Sequence, residues 1–172
     1  MEQSGNIAQT LASDIFLLRP WRVADAAWYV QARDEQIFQW TTEKRELTVA
    51  ETEEAIRQVN ASTGIFCFAI TDHQTQALLG NIALVFEESP SRNAEIMYWL
   101  APEGRGRGIA TKAVRLLCDG AFHALGAEQI TLQTHRDNVR SQMVAERAGF
   151  RLDERKNQQD SAYVWFNRLK HT

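Results

Sequence analysis

Glycine and arginine alternate in the run EGRGRGIA at residues 103–110, the segment of this sequence with the clearest capacity for chemistry. A strand is predicted just before it, at residues 94–100, and an amphipathic helix is predicted to begin at Ile109. Glycines let a backbone turn tightly and approach a ligand closely. A helix that begins there directs free N–H groups and the positive end of its dipole at that ligand. The run therefore predicts an anion site suited to a phosphate or pyrophosphate.

Two common phosphate-binding loops do not fit this run. A P-loop needs a glycine followed by Lys-Ser or Lys-Thr, whereas this chain has the reverse order at Thr111-Lys112. A dinucleotide-binding loop needs the pattern Gly-x-Gly-x-x-Gly. Its third glycine would have to stand at residue 109 or 111, where this chain has Ile109 and Thr111. A nucleotide-dependent enzyme of either kind is therefore disfavoured.

The spacing that does fit is Arg105-x-x-Gly108-x-Ala110. It resembles the acyl-CoA-binding signature of the GNAT acetyltransferases, although a plain glycine-rich turn between a strand and a helix is the alternative for this segment alone. A second segment, NVRSQMVAERAGF at residues 138–150, resembles a later helix of the same family. That helix opens with Asn, carries a small or hydroxyl residue three positions on, and ends at Gly-Phe. The two segments together favour the family, and the triplet YWL at residues 98–100 is most similar to its RimJ/RimL-like branch.

The resemblance implies a fold, a co-substrate and a set of contacts. The fold is a single α/β domain, the acyl-CoA N-acyltransferase (GNAT) fold, with a mixed and mostly antiparallel central sheet flanked by helices. The co-substrate is acetyl-CoA, and no metal is implied. In the family, loop amides hold the CoA pyrophosphate at a helix N-terminus, and a strand pairs through its backbone with the pantetheine arm. The residues of this chain that would contact CoA are Trp99, Leu100, Arg105, Gly106, Arg107, Gly108, Ile109, Ala110, Asn138 and Ser141.

Two residues are candidates for the proton transfers of an acetyl transfer. Glu95 lies on the strand that leads to the glycine-rich run, where several family members carry an acidic base; an ordinary surface carboxylate is the equal alternative. Ser141 is the candidate acid or oxygen-positioning group, against a helix serine bonded to its own backbone. Many family members carry a proton-donating tyrosine four residues beyond this serine. This chain has Ala145 there, so we expect Ser141, water or no group at all to take that role.

The implied function is direct transfer of an acetyl group to a primary amine. The acceptor could be a peptide N-terminus, a polyamine, an amino acid or an amino-group antibiotic, and among the N-terminal aromatics Trp40 and Phe38 are the best placed to contact it. A non-catalytic CoA-binding regulatory module is the alternative, supported only by Ala145. A homodimer is common among relatives and is therefore possible here.

The composition limits the remaining classes of function. The formal net charge of −3 gives no indication of a nucleic-acid partner. The cysteines, Cys67 and Cys118, lack metal-type spacing and are predicted to be buried free thiols. No signal peptide and no apolar run of membrane length is evident, so we expect no membrane partner and a cytoplasmic protein. Residues 1–13 are predicted to be a flexible leader and residues 14–172 the acetyltransferase domain.

Hydrophobic periodicity and turn residues predict the elements that must position these groups. Residues 139, 143 and 144 are predicted to form the buried side of the helix that follows Asn138. Strands are predicted at 15–18, 65–71, 78–86, 92–100 and 129–134, helices at 25–33, 34–39, 49–60, 109–125 and from 138, a turn at 89–91, and a closing hairpin at 150–154 and 162–169.

Overall fold

The structure is a computed structural model that describes residues 10–88, 91–158 and 162–170. Its strands are β1 (Leu11–Ala12), β2 (Phe16–Pro20), β3 (Ile65–Asp72), β4 (Leu78–Phe86), β5 (Asn93–Leu100), β6 (Gln129–His135), β7 (Arg151–Leu152) and β8 (Tyr163–Leu169). Its helices are α1 (Ala26–Gln31), α2 (Glu35–Trp40), α3 (Val49–Ala61), α4 (Ile109–Gly120) and α5 (Val139–Arg147). All eight strands form one sheet, in the spatial order β1-β2-β3-β4-β5-β6-β8-β7.

The sheet is mixed and mostly antiparallel, which confirms the predicted α/β fold. The three strands predicted at 65–71, 78–86 and 92–100 are β3, β4 and β5, and they form a meander in which each is antiparallel to the next. The single parallel pairing in the described sheet joins β5 to β6, with α4 as the crossover between them. The predicted closing hairpin is formed by β7 and β8, and β8 also pairs with β6.

The chain before β2 differs from the predicted leader. Leu11 and Ala12 pair with Leu18 and Leu17 of β2, so this short stretch belongs to the sheet. Residues 1–9 of the predicted leader lie outside the described residues, as do residues 89 and 90 of the predicted turn.

Helices cover both faces of the sheet, because the strands carry apolar side chains on both. On one face, α1 and α3 pack on a small core in which Trp21, Ala26, Ile56 and Ala69 are buried. On the other face, α4 and α5 cover the main core. Its largest fully buried side chains include Phe16, Leu18, Ile70, Ile82, Leu84, Ile96, Leu117, Ile130 and Leu132. Alternation along β5 therefore directs its even-numbered residues toward α4 and α5 and its odd-numbered residues toward α1–α3.

The prediction for the buried side of α5 is wrong in two of three positions. Val139 is 61% exposed and Met143 is 39% exposed. The residues of α5 and its C-cap that are fully buried in the core are Ala145 and Ala148, with Val144 packed partly against it. The small side chains of these alanines let the helix lie close to the sheet. The larger apolar residues Val139 and Met143 therefore lie on its exposed side.

Thr48 and Glu51 form a capping box at the start of α3, with Thr48 Oγ1 accepting from the Glu51 amide at 3.2 Å. Both cysteines are free thiols as predicted, but only Cys118 is fully buried, whereas Cys67 is partly buried. Burial raises the pKa of each to about 12. No helix within the described ranges is long and apolar enough to cross a membrane. The described side chains also contain no cluster of His, Cys, Asp and Glu that could hold a metal ion.

Leu117→Ala tests whether α4 is held by the main core. Leu117 is fully buried, so truncation removes its apolar contacts and leaves a cavity, and we expect a loss of about 3 kcal/mol in the free energy of unfolding. Urea denaturation followed by circular dichroism measures it. Leu169→Ala, at a leucine that is 56% exposed, is the matched control and should change stability by less than about 0.5 kcal/mol. Equal losses in the two variants would contradict this packing.

Candidate active site

A cleft opens where β5 and β6 separate. Their pairing runs only from Asn93 opposite Gln129 to Glu95 opposite Thr131, although both strands continue beyond it. The carboxyl halves of the two strands then line a cleft of about 820 Å³, together with α2, the segment that follows α2, and the starts of α4 and α5. Parallel strands of α/β proteins commonly bind ligands outside their carboxyl ends. This position therefore makes the cleft the candidate active site.

The glycine-rich loop forms one end of the cleft. Gly106 and Gly108 have φ values of +73° and +71°, a left-handed conformation that glycine adopts without steric cost. A Cβ atom built on either glycine meets no atom within 4 Å, so the space above the loop is open. Gly108 is the N-cap of α4, and no side chain caps the first turn of this helix. Its first amides and its dipole are thus available to an anion.

The two arginines of the loop lie in ion pairs. Arg105 donates to both carboxylate oxygens of Asp34, at 2.7 and 2.8 Å. Arg107 donates to Asp72 at 2.9 Å on the outer side of the loop, where its side chain is 44% exposed. Hydrogen bonds to the Thr75 amide and to Arg107 hold the pKa of Asp72 well below its usual range. An exposed pair of this kind contributes little to stability, so Arg107 can leave Asp72 for another anion.

Glu95 lies at the point where the two strands part. It is half-buried and lines the cleft on the face of β5 that looks toward α1–α3. Burial raises the pKa of its carboxyl, and the charge of Glu87 adds to the rise, whereas Lys156 opposes it. A carboxylate with a raised pKa is a better proton acceptor from an ammonium group than a fully solvated one.

Ser141 occupies the first turn of α5 and faces β5 across the cleft. Its Oγ accepts a hydrogen bond of 3.1 Å from the phenol of Tyr98. Its backbone amide donates to the side chain of Asn138, which is the N-cap of α5 as the sequence predicts. Burial raises the pKa of Tyr98 to about 12, so the phenol stays protonated. Since Ser141 Oγ accepts the hydrogen bond from Tyr98, its own hydroxyl can donate a hydrogen bond into the cleft.

Ala145 cannot contribute a group to this cleft. It is fully buried in the main core, one turn of α5 below Ser141. Tyr98 reaches the same serine from the strand instead. Sequence analysis did not single out Tyr98, but the alternation of β5 indicates its direction, because Ala94 and Ile96 are core residues of the same parity.

A second carboxylate, Glu43, lies on the opposite side of the cleft from α4. Its Oε1 accepts hydrogen bonds from the Tyr29 phenol at 2.8 Å and from Trp99 Nε1 at 3.1 Å. Its Oε2 accepts from Arg33 at 3.2 Å. These donors hold the Glu43 carboxyl in the wall. Burial raises the pKa of the Tyr29 phenol, and the neighbouring Glu43 adds to the rise. Sequence analysis missed Glu43, because the irregular segment 41–48 has no periodicity from which its direction could be read.

Aromatic rings also line the cleft. The Trp40 ring lies 5.5 Å from the His135 ring, and that ring lies 5.8 Å from Tyr163, measured between centroids. All three residues line the cleft. Phe38, which the sequence groups with Trp40, lies instead beside the guanidinium groups of Arg33 and Arg45, and it does not line the cleft.

The cleft brings together most of the residues that the sequence assigns to the site. Arg107, Gly108 and Ile109 do not line it, and Ile109 is fully buried in the main core. Gly108 and Ile109 can therefore meet a ligand only through their backbones. The predicted site residues that do line the cleft are Glu95, Trp99, Leu100, Arg105, Gly106, Ala110, Asn138 and Ser141.

Comparison with known proteins identifies the family. A model of the acetyltransferase (GNAT) domain family matches residues 16–151, which include every strand from β2 to β6 and the glycine-rich loop. The chain belongs to the GNAT acetyltransferase family.

The curated relatives of the chain have N-acetyltransferase names, which agrees with this assignment. The chain is 40% identical over 88 residues to a Bacillus subtilis protein with the provisional name ribosomal N-acetyltransferase YdaF, covering 51% of this chain and 47% of that protein. The chain spans about half the length of the curated relatives that it matches.

Two solved structures with a similar fold contain CoA or a derivative of it. Mycobacterium smegmatis RimJ in complex with CoA-disulfide has a TM-score of 0.79 at 22% identity, covering 95% of this chain and 88% of that one. Spermidine N-acetyltransferase from Vibrio cholerae, in complex with CoA and spermine, has a TM-score of 0.78 at 21% identity, covering 90% and 95%. At these identities the likeness shows the fold.

The charges around Glu95 make its titration a test of the site geometry. We expect Glu95 to titrate above the ordinary glutamate value, because burial disfavours its charged form. Lys156→Met should raise its pKa further, since the attraction that favours the carboxylate is lost, and Glu87→Gln should lower it. NMR titration of the Glu95 carboxyl carbon measures this pKa in the unmodified protein and in both variants. A Glu95 that titrates at or below the ordinary value in the unmodified protein would contradict the buried position.

Proposed function

We propose that this GNAT chain is an N-acetyltransferase that moves the acetyl group of acetyl-CoA directly to a primary amine. The observation that carries the proposal is the cleft between β5 and β6, which has an open anion loop at one end and a half-buried carboxylate, Glu95, on its far side. One end suits a phosphate-bearing donor and the other suits a cationic acceptor.

The donor would lie against the glycine-rich loop and the free edge of β5. Backbone amides of residues 106–110 at the start of α4 would hold the pyrophosphate, with Arg107 swinging from Asp72 to add its charge. Where β6 turns away, β5 keeps unpaired backbone groups toward the cleft, and Trp99 and Leu100 would pair there with the pantetheine arm. Asn138 and Ser141, at the start of α5, would lie on the other side of that arm.

The reaction needs two proton transfers, and the residues of the cleft can supply both. Glu95 would accept the proton of the acceptor ammonium, directly or through water, so that the nitrogen lone pair can attack the thioester carbon. As the carbon–sulfur bond breaks, Ser141 would donate its hydroxyl proton to the sulfur and recover one from the attacking nitrogen, while Tyr98 keeps its proton and holds Ser141 in place by its hydrogen bond. Ser141 would then act as the proton donor, with Tyr98 behind it, in the role that Ala145 cannot fill.

The acceptor side favours a positively charged amine. Glu43 and Glu95 both line it, and the rings of Trp40 and His135 form its aromatic wall. Peptide N-termini, polyamines, amino acids and amino-group antibiotics share this charge. The names of two similar proteins, a ribosomal N-acetyltransferase and a spermidine N-acetyltransferase, support a protein N-terminus or a polyamine as the acceptor.

Acetyl-CoA binding and turnover test the proposal together. At about a hundredfold excess over its dissociation constant, acetyl-CoA should raise the free energy of unfolding by about 2.7 kcal/mol. Free thiol should then appear with at least one member of a panel of N-terminal peptides, spermine, amino acids and an aminoglycoside. Stabilisation without turnover on any of them would favour the non-catalytic CoA-binding module.

Gly108→Trp and Gly108→Ala belong to the same test. The tryptophan fills the open space above the loop and should weaken acetyl-CoA binding by more than about tenfold, or ~1.4 kcal/mol. The alanine carries the backbone strain of the left-handed φ without the bulk, and it separates the two effects. Unchanged affinity in the tryptophan variant would remove the loop from the donor site.

Glu95→Gln tests the proposed base. The rate of the unmodified enzyme should fall as the pH drops through the raised pKa of Glu95, because protonation removes the acceptor of the ammonium proton. Glutamine cannot accept that proton, so the variant should lose about a hundredfold in kcat and also lose this acidic limb. Glu128→Gln, at an exposed glutamate outside the cleft, is the matched control. A pH–rate profile that is unaltered in Glu95→Gln would exclude Glu95 as the base.

A further inference from the structure

The guanidinium of Arg105 is already engaged, although the sequence pattern places it among the donor-binding residues. Besides its two bonds to Asp34, it donates from Nη1 to Gln36 at 3.1 Å and from Nε to the Leu100 carbonyl at 3.0 Å. These contacts use both N–H groups of Nη1, the N–H of Nε and one of Nη2. One N–H of Nη2 remains, so a phosphate could bind this arginine in a bidentate manner only by breaking its pair with a carboxylate, which is a strong form of hydrogen bonding.

The partner of Arg105 is also the residue that starts α2. Asp34 is the N-cap of this helix, and its Oδ1 accepts from the Ile37 amide at 3.1 Å. The hydrogen bonds from Arg105 are the main reason why the pKa of Asp34 lies below its usual range. One carboxylate therefore fixes the first turn of α2 and ties that turn to the glycine-rich loop.

Helix α2 needs such an anchor. It has six residues, far fewer than an isolated helix requires for stability in water. Ile37 is its one fully buried residue, at 3% exposure. Its last residue, Trp40, is the aromatic side chain that meets His135 across the acceptor end of the cleft. The position of this wall thus depends on where the start of α2 is held.

We propose that Arg105 and Asp34 are positioning residues that link the anion loop to the acceptor wall. Arg105 spans the end of β5 and the start of α2, so a ligand that orders the loop also orders α2 and Trp40. Binding at the donor end then prepares the acceptor end, because a second ligand meets a wall that is already fixed. This inference rests on the proposed function for the identity of the donor, acetyl-CoA.

Hydrogen exchange of the amides of α2, with and without acetyl-CoA, tests the link. In the unmodified protein, acetyl-CoA should slow exchange in residues 37–41. Asp34→Asn keeps an N-cap residue but cannot form the bidentate pair, so exchange there should become about tenfold faster. More diagnostically, acetyl-CoA should no longer slow it, while calorimetry gives a dissociation constant within about threefold of the original. A role in helix stability alone would change the basal rate and keep the response to acetyl-CoA.

Two further variants sharpen the result. Arg105→Lys should reproduce Asp34→Asn, and the double variant should be no worse than either single variant, because both remove the same contact. Glu35→Gln is the matched control: it removes a bidentate pair with Arg45 on the outer side of the same helix, at 2.6 and 2.8 Å, without touching the loop. It should leave the response to acetyl-CoA intact.

The opposite outcomes separate the two proposals. If Arg105→Lys weakens acetyl-CoA binding more than about tenfold while Asp34→Asn does not, Arg105 is a phosphate ligand and the link is wrong. If exchange in α2 is the same in all variants, the link is also wrong. If the unmodified protein does not bind acetyl-CoA, the proposed function fails. The Arg105–Asp34 anchor is then judged by the basal exchange of α2 alone, and its role in coupling is refuted.

Discussion

The short parallel pairing between β5 and β6 is the constraint on which the cleft depends. Each of these strands has a long antiparallel neighbour on its outer side, β4 for β5 and β8 for β6, with seven residue pairs in each case. Both strands can therefore diverge after Glu95 and Thr131 without becoming detached from the sheet. Backbone groups left without a strand partner must bond to a side chain, water or a ligand, so the break in pairing also creates a surface with directional hydrogen bonding.

Alternation along β5 then divides the chemistry between the two faces of one strand. Glu95 looks toward α1–α3, and Tyr98, at the opposite parity, looks toward α5 and Ser141. The group proposed to accept a proton and the pair proposed to deliver one are held by the same rigid backbone, on opposite sides. Trp99 connects this strand to the acceptor wall through its stack on Trp28 and its hydrogen bond to Glu43. The sheet thus fixes geometry that mobile loops would hold less accurately.

Most of the fold could be predicted from sequence because its signals are local. Glycines at fixed offsets, the capping box at Thr48 and the N-cap at Asn138 each report on the few residues around them. The failures concern contacts between distant segments. The exposure of Val139 and Met143 depends on how α5 is rotated on the sheet. The position of Glu43 depends on donors from α1 and β5. The partner of Arg105 lies 71 residues away, and no local pattern marks it.

The two borders of the sheet have a consequence for how this protein meets its neighbours. The described sheet ends in β1 on one side and β7 on the other, and each is only two residues long. Long, flat border strands expose rows of backbone groups that other chains can pair with, whereas very short ones offer few. A sheet that continues from one molecule into the next is thereby discouraged. The short strands at its described borders thus keep this eight-stranded sheet from acting as a template for aggregation.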